Sequence, residues 1–219
     1  MKINGLDPEI YGAYLLSYSV SGCELENTYF LPPSTLIPIR LTNRARLRKI
    51  TLKFDFHGQD THDAIRNMSN FTATLHNEAE LLLPDGFYYY CVLVSTGTSV
   101  TKADWIEQNS FSLIGFRHGP LESYIFTETS DIFVNGNYET ECRFIINTEK
   151  DSITVNGISI NNISGEIIID GIKKVVLQNG ANKFIDCDMT DFPKLNPGNN
   201  TISITEGATV IVQYYPIYL

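Results

Sequence analysis

The sequence predicts a mainly β protein with a single α-helix, and three observations predict it. Short apolar runs of period two recur along the chain, turn formers separate them, and one segment alone carries an apolar stripe at helical spacing. Between residues 142 and 215 the runs are divided by Asn156-Gly157, Asp170-Gly171, Asn179-Gly180 and Pro197-Gly198. Asn-Gly and Asp-Gly suit two-residue hairpin turns, because both turn positions need positive φ. Short strands at that spacing imply a sandwich or jelly-roll-like domain that finishes on an alternating strand, 209–215.

Taken in order, residues 14–20 and 29–31 are short β-like pieces separated by Gly and Pro. A strand pair follows at 35–40 and 46–56. In the second strand Ile50, Leu52, Phe54 and Phe56 share one face while Thr51, Lys53 and Asp55 share the other, the signature of a half-buried strand. The helix is expected over 61–76, where Ile65, Met68, Phe71 and Leu75 recur every three or four residues and Thr61 serves as N-cap. So narrow a stripe suits either a sheet of the same subunit or a neighbouring one. Pro84-Asp85-Gly86 then turns the chain from a short strand into an aromatic one. Phe87, Tyr88, Tyr89 and Tyr90 put rings on both faces, and at roughly 150–250 Å² per ring such a strand belongs at a sheet centre or an interface. A strand at 109–116 completes a mostly antiparallel unit.

The pattern breaks at His118-Gly119-Pro120 and again in the Thr/Glu/Ser-rich stretch 127–131. Two domains are therefore expected, 1–126 and 127–219. The second holds strands at 142–147, 152–155, 158–160, 166–169, 173–177, 182–186, 201–205 and 209–215, and no helix.

A chain of 219 residues that is 43% hydrophobic and 19% charged is in the folded, globular range. Its net charge of −9, negative in both expected domains, argues against nucleic-acid binding by bulk attraction. The one basic cluster, Arg40, Arg44, Arg46, Arg48, Lys49 and Lys53, partly alternates with apolar residues and reads as the polar side of a strand. Charge and turn formers at Met1-Lys2-Ile3-Asn4-Gly5 leave no secretory apolar run, and nowhere do about 18 apolar residues run together, so neither export nor a membrane span is expected. The sequons at Asn67, Asn70, Asn162 and Asn199 then carry little weight. Cys23, Cys91, Cys142 and Cys187 stand far apart, which suits free thiols in a reducing compartment better than metal or redox pairs.

Signals for chemistry are sparse. His57, Asp60, His62 and Asp63 are the only local gathering of metal-ligand types, and helix capping explains them equally well. The acidic run 186–191 lacks the Gly and terminal Glu of an EF-hand loop. Phosphate-binding and nucleophile-elbow motifs are absent, so no catalytic residue, cofactor or metal is expected. Sugar binding by stacked aromatics would draw on Trp105, outside the sandwich, or on Tyr138, Tyr214, Tyr215 and Tyr218.

Several stretches, in this order, resemble the distal tail protein (Dit) family of long-tailed phages and prophages of Gram-positive bacteria. They are the basic strand 44–56 with Phe56-His57-Gly58, the helix, Leu83-Pro84-Asp85-Gly86-Phe87-Tyr88-Tyr89-Tyr90, and Gly115-Phe116-Arg117-His118-Gly119. Gly165-Glu166-Ile167-Ile168-Ile169-Asp170-Gly171 and the run from Asp191-Phe192-Pro193-Lys194-Leu195-Asn196-Pro197-Gly198 to the closing strand complete the set. The resemblance implies a barrel- or sandwich-like N-terminal ring domain with one helix, then a galectin-like β-sandwich.

It also implies hexameric rings, which can stack, placed at the tip of the tail. There they bind the tail-tube protein on one side and the tail-associated lysin or fibre protein on the other, with receptor-binding proteins at the periphery. DNA passes through the lumen, and the protein resides in the virion after assembly in the bacterial cytoplasm. Larger members carry carbohydrate-binding insertions for which the loops here leave no room. Subunit contacts are expected at Arg44, Arg46, Arg48, Phe87, Tyr88 and Tyr89. The alternatives are a carbohydrate-binding adhesin, suggested by the sandwich, and a hydrolase with a dispersed site.

Overall fold

The computed structural model describes residues 1–33, 39–45 and 47–219. Most of the strand expected at 35–40 lies outside the described residues, as does Arg46. The described chain is mainly β with one α-helix, in two compact units, Met1–Arg117 with Leu219, and His118–Tyr218. Residues 122–126, which the sequence assigns to the first domain, pair with a strand of the second unit.

The N-terminal unit contains strands β1 (Lys2–Ile3), β2 (Ala13–Val20), β3 (Leu25–Phe30), β4 (Ile39–Ala45) and β5 (Arg48–His57), then α1 (Thr61–Leu75). After the helix come β6 (Ala79–Leu82), β7 (Tyr88–Thr96), β8 (Val100–Ala103) and β9 (Ile106–His118). The main sheet runs in the order β1-β6-β7-β9-β5-β2, with β8 also on β9, while β3 and β4 form a separate ribbon.

Strand β5 alternates as expected, with Ile50, Leu52, Phe54 and Phe56 fully buried. The helix lies over that face. Its buried stripe is Ala64, Phe71 and Leu75 with Met68 half-buried against the same core, whereas Ile65 points outward. Phe71 is the centre of an aromatic cluster, 4.8 Å from Phe54 and 5.3 Å from both Phe56 and Phe111 between ring centroids. The N-cap is Asp60 rather than Thr61: the Asp63 N–H donates to Asp60 Oδ1 at 2.8 Å, while the Thr61 hydroxyl donates to the Asp104 carbonyl. A carboxylate there also complements the positive end of the helix.

The C-terminal unit holds β10 (Glu122–Phe126), β11 (Ser130–Val134), β12 (Thr140–Thr148), β13 (Ser152–Val155), β14 (Ile158–Asn161), β15 (Ile167–Asp170) and β16 (Val175–Gln178). These are followed by β17 (Ala181–Asn182), β18 (Cys187–Asp188), β19 (Lys194–Leu195), β20 (Gly198–Ile202), β21 (Ala208–Tyr214) and β22 (Ile217–Tyr218). A seven-stranded sheet runs β10-β21-β12-β15-β16-β17 with β19 on β12; β11-β20 and β13-β14-β18 form smaller sheets. Phe144, Ile146, Ile167, Ile169, Val210 and Val212 of the large sheet share one buried core with Ile132, Val155, Ile160 and Ile202 of the smaller ones. Apolar side chains from two layers meeting in one core make this unit a β-sandwich.

Asn156 and Gly157 have φ of 50° and 77°, and Asn179 and Gly180 have 51° and 79°, as two-residue hairpin turns require. Asp170-Gly171 departs from that expectation. Asp170 ends β15, and its Oδ1 accepts from the N–H groups of Ile172 and Lys173, building the turn with a carboxylate. The strand expected at 182–186 is also different. The Phe184 N–H donates to Asn182 Oδ1 at 2.9 Å, and a 3₁₀ turn, Phe184–Asp186, takes its place. Two strands, β10 and β11, flank a stretch that reads in the sequence as a boundary.

Candidate assembly surfaces

In the N-terminal unit the helix covers one face of the sheet; the other face is half-buried along β9 and exposed at Lys49, Lys53, Tyr90, Val92 and Val94. On β7, Tyr89 and Cys91 point into the core while Tyr90, Val92 and Val94 face outward, with Tyr90 5.6 Å from Phe116 of β9. The aromatic strand therefore lies inside the sheet and presents an apolar outer face, both at once. Burial and the hydrogen bond to Asp85 push the Tyr89 hydroxyl up to about 12, and that bond, 2.5 Å to Asp85 Oδ2, ties the strand to the Pro84-Asp85-Gly86 turn.

The residues expected at subunit contacts occupy different environments. Arg48 is buried, and its Nη1 donates to the Ser21 carbonyl at 2.8 Å, holding the end of β2 to β5. Tyr89 is buried. Phe87 and Tyr88 are half-buried, with the Arg117 guanidinium 4.5 Å from the Phe87 ring centroid. Arg44 lies on β4 opposite Glu26. The structure places Phe87 immediately before β7, which carries Tyr88 and Tyr89, but does not join Arg48 to them.

A second outward group is aromatic and was not legible as a group in the sequence. His57 stands between Tyr14, 4.6 Å away, and Trp105, 5.2 Å away. Tyr14 lies on β2, far ahead of His57 in the chain, and Trp105 follows the helix, so only the pairing of distant strands brings them together.

The two acidic gatherings are used locally. Asp60 caps α1; Asp63 accepts from the Gln59 N–H and pairs with Arg66. Asp186 pairs with Lys183 at 2.8 Å and accepts from Asn162, while Asp191 pairs with Lys194 at 2.9 Å. Among the described residues no group of three or more His, Cys, Asp or Glu is placed to hold a metal ion. No described helix is long and apolar enough to cross a membrane.

On the C-terminal unit, Glu122 collects three donors: Tyr214 at 2.6 Å and Tyr124 at 3.0 Å on Oε2, and Asn135 at 2.8 Å on Oε1. Burial raises its carboxyl, and the three hydrogen bonds outweigh that and hold it below the usual range. The carboxylate is thereby committed to joining β10 to β21. Beside it Ile125 and Phe133 are exposed, as is Ile185 at the 3₁₀ turn.

Residues 162–218 match the family model of the siphovirus-type tail component, C-terminal domain. The crystal structure of the phage SPP1 Dit protein, titled a paradigm of the hub adsorption apparatus in phages infecting Gram-positive bacteria, is similar throughout. It has 14% sequence identity and a TM-score of 0.72, covering 99% of this chain and 98% of that one. The activated baseplate of phage P2 with Ca contains a chain at 11% identity and TM-score 0.58, covering 92% and 90%. The same baseplate with Sr matches at 10% identity and TM-score 0.54 over the same shares. No curated protein matches the sequence.

The C-terminal part of the chain thus carries the signature of the siphovirus-type tail component, and the fold as a whole is like that of the SPP1 Dit protein. The resemblance to the distal tail protein family, carried in the sequence by the 191–202 run and the closing strand, is borne out by both.

Proposed function

We propose that this chain is a distal tail hub, a structural virion protein that assembles as a hexameric ring and joins the tail tube to the tail tip. The observation that carries this reading is the end-to-end fold likeness to the SPP1 hub protein, joined to the family match over residues 162–218. The N-terminal domain makes the ring and its lumen, and the C-terminal sandwich docks peripheral proteins. Partners are the tail-tube protein above, the tail-associated lysin or fibre protein below, and receptor-binding proteins at the side. The role is non-enzymatic, which accords with carboxylates spent on capping and pairing.

A net charge of −9 suits a conduit for DNA, because each Lys or Arg on the lumen would add phosphate contacts that retain the strand. Phe87 and Tyr88, with Arg44 and Arg46, are assigned to subunit contacts. Tyr89 acts from beneath by tying β7 to the turn before it, and Arg48 by holding the end of β2 to β5. Co-purification of the tagged chain with the tail-tube protein and the tail-associated fibre protein tests the adaptor role. Recovery of both supports it, and saturable binding of the chain to wall polysaccharide, with neither protein recovered, favours the adhesin instead.

A further inference from the structure

We infer that the N-terminal units of neighbouring copies join edge to edge, β2 of one copy pairing with the edge formed by residues 92–103 of the next. This rests on the self-assembly reading above and names the surface that performs it.

The two edges lie on opposite sides of one sheet. On one side β2 is the outermost strand, paired with β5 and, among the described residues, with nothing beyond it. On the other side β6 covers β7 only from Tyr88 to Cys91. Strand β5 runs along one flank of β9 from Arg48↔Gly115 to His57↔Ile106, so β8, paired through Val100↔Gln108 and Thr101↔Glu107, lies on the opposite flank, in line with β7. Residues 92–96 and 100–103 thus form one edge. The buried Glu107 carboxylate holds β8 in place by accepting from the hydroxyls of Ser99 and Thr101.

Both edges lack the charges and prolines that blunt exposed strands. Residues 13–20 contain no charged residue and no proline, and residues 92–103 contain Lys102 alone. Leu16 is 48% exposed on the first edge, and Val94 and Val100 are 58% and 47% exposed on the second. A bulge between Leu15 and Ser17 divides the first edge into two pairing segments, and a register shift between Thr101 and Ala103 marks the end of the second. Unpaired backbone donors and acceptors on nearly uncharged strands of this length are a template for another strand. The partner that carries a matching open edge is a second copy. Because the two edges are different surfaces, the contact is head-to-tail, and such contacts close into rings when the rotation permits.

The test uses Leu16→Lys and Val94→Lys in the full chain, each alone and mixed one to one, with size read by native mass spectrometry. Each variant alone should be monomeric. The mixture should stop at a heterodimer, since the Val94→Lys chain supplies an intact β2 and the Leu16→Lys chain an intact 92–103 edge. Rings of unchanged size from either variant overturn the edge assignment and leave the hub reading standing, as would Val94→Lys homodimers, which mean that β2 pairs with itself. A monomeric wild type under all conditions defeats the hub reading itself. Hydrogen exchange on the wild type stands apart from whether the variants fold: amides of 13–20 and 92–103 must gain protection on assembly, and unchanged exchange there overturns the inference.

Discussion

Arg143 and Asp170 face each other across the β12–β15 ladder, with Nε and Nη2 of Arg143 both donating to Asp170 Oδ2, at 3.0 and 2.7 Å. The other carboxylate oxygen accepts from the N–H groups of Ile172 and Lys173, so one side chain joins two strands and shapes the turn after them. Burial pushes this carboxyl up, and the donors from Lys173, Arg143 and Ile172 more than compensate, holding it below the usual aspartate range. A carboxylate whose folded pKa is depressed stabilises the fold fully above its unfolded value, about 3.9. That contribution is lost as pH falls through the lower folded value. Asp170→Asn should therefore cost about 1.5–3 kcal/mol at neutral pH, where a charged hydrogen bond is lost. Denaturant titrations between neutrality and acid should show the difference from wild type shrinking below about pH 4.

Phe71 fills the space between Phe54, Phe56 and Phe111, all fully buried. Phe71→Ala removes a ring that three others touch, and the expected loss is about 3–5 kcal/mol. Ile65→Ala, nearly two turns earlier on the exposed side of the same helix, should stay within about 0.5 kcal/mol. Equilibrium unfolding of the two variants checks the helix register, and similar losses for both would mean that Ile65 is also covered.

Gly115 lies where β9 meets β7 so closely that a Cβ would stand 2.3 Å from the Tyr90 carbonyl oxygen and 2.6 Å from Cys91 Cβ. Backbone on one side and a buried thiol on the other leave no flexible group to yield. Gly115→Ala should destabilise by about 1–3 kcal/mol through overpacking. Gly22, with nothing within 4 Å of its Cβ position, is the control, and alanine there should be neutral or slightly stabilising in the same melts.

All four cysteines are free; Cys91 and Cys142 are buried, and Cys23 and Cys187 are half-buried. Burial pushes the Cys91 thiol up to about 12 and raises Cys142 as well. Alkylation at pH 8 should spare both until the protein is unfolded and label Cys23 first, since the thiolate is the reactive form. Peptide mapping after a timed iodoacetamide pulse reads this directly, and early labelling of Cys91 would mean that β6 opens readily.

The sequence made the local features legible. The alternation of Ile50 to Phe56, the helix and the Asn156-Gly157 and Asn179-Gly180 hairpins each follow from neighbours a few residues apart. Asp170 and Asn182 were misread because a side-chain oxygen, not a pair of positive-φ residues or a continuing strand, satisfies the nearby N–H groups. Strands β10 and β11 escaped notice because Ser123, Tyr124 and Ile125 are exposed and the flanking Thr/Glu/Ser stretch masks any alternation. The scarcity of charge in residues 13–20 and 92–103 is visible in the sequence, but their place at open edges of the sheet is not. The edges exist because β5 and β9, distant in the chain, occupy the middle of the sheet and leave β2 outermost.

The most direct test of the hub account is the size and shape of the purified assembly, by native mass together with electron-microscopic class averages at high protein concentration and with the tail-tube protein added. The account predicts a closed ring with a central opening and a mass six times that of the 24.7 kDa chain. A particle that remains a single 24.7 kDa chain under both conditions would contradict it.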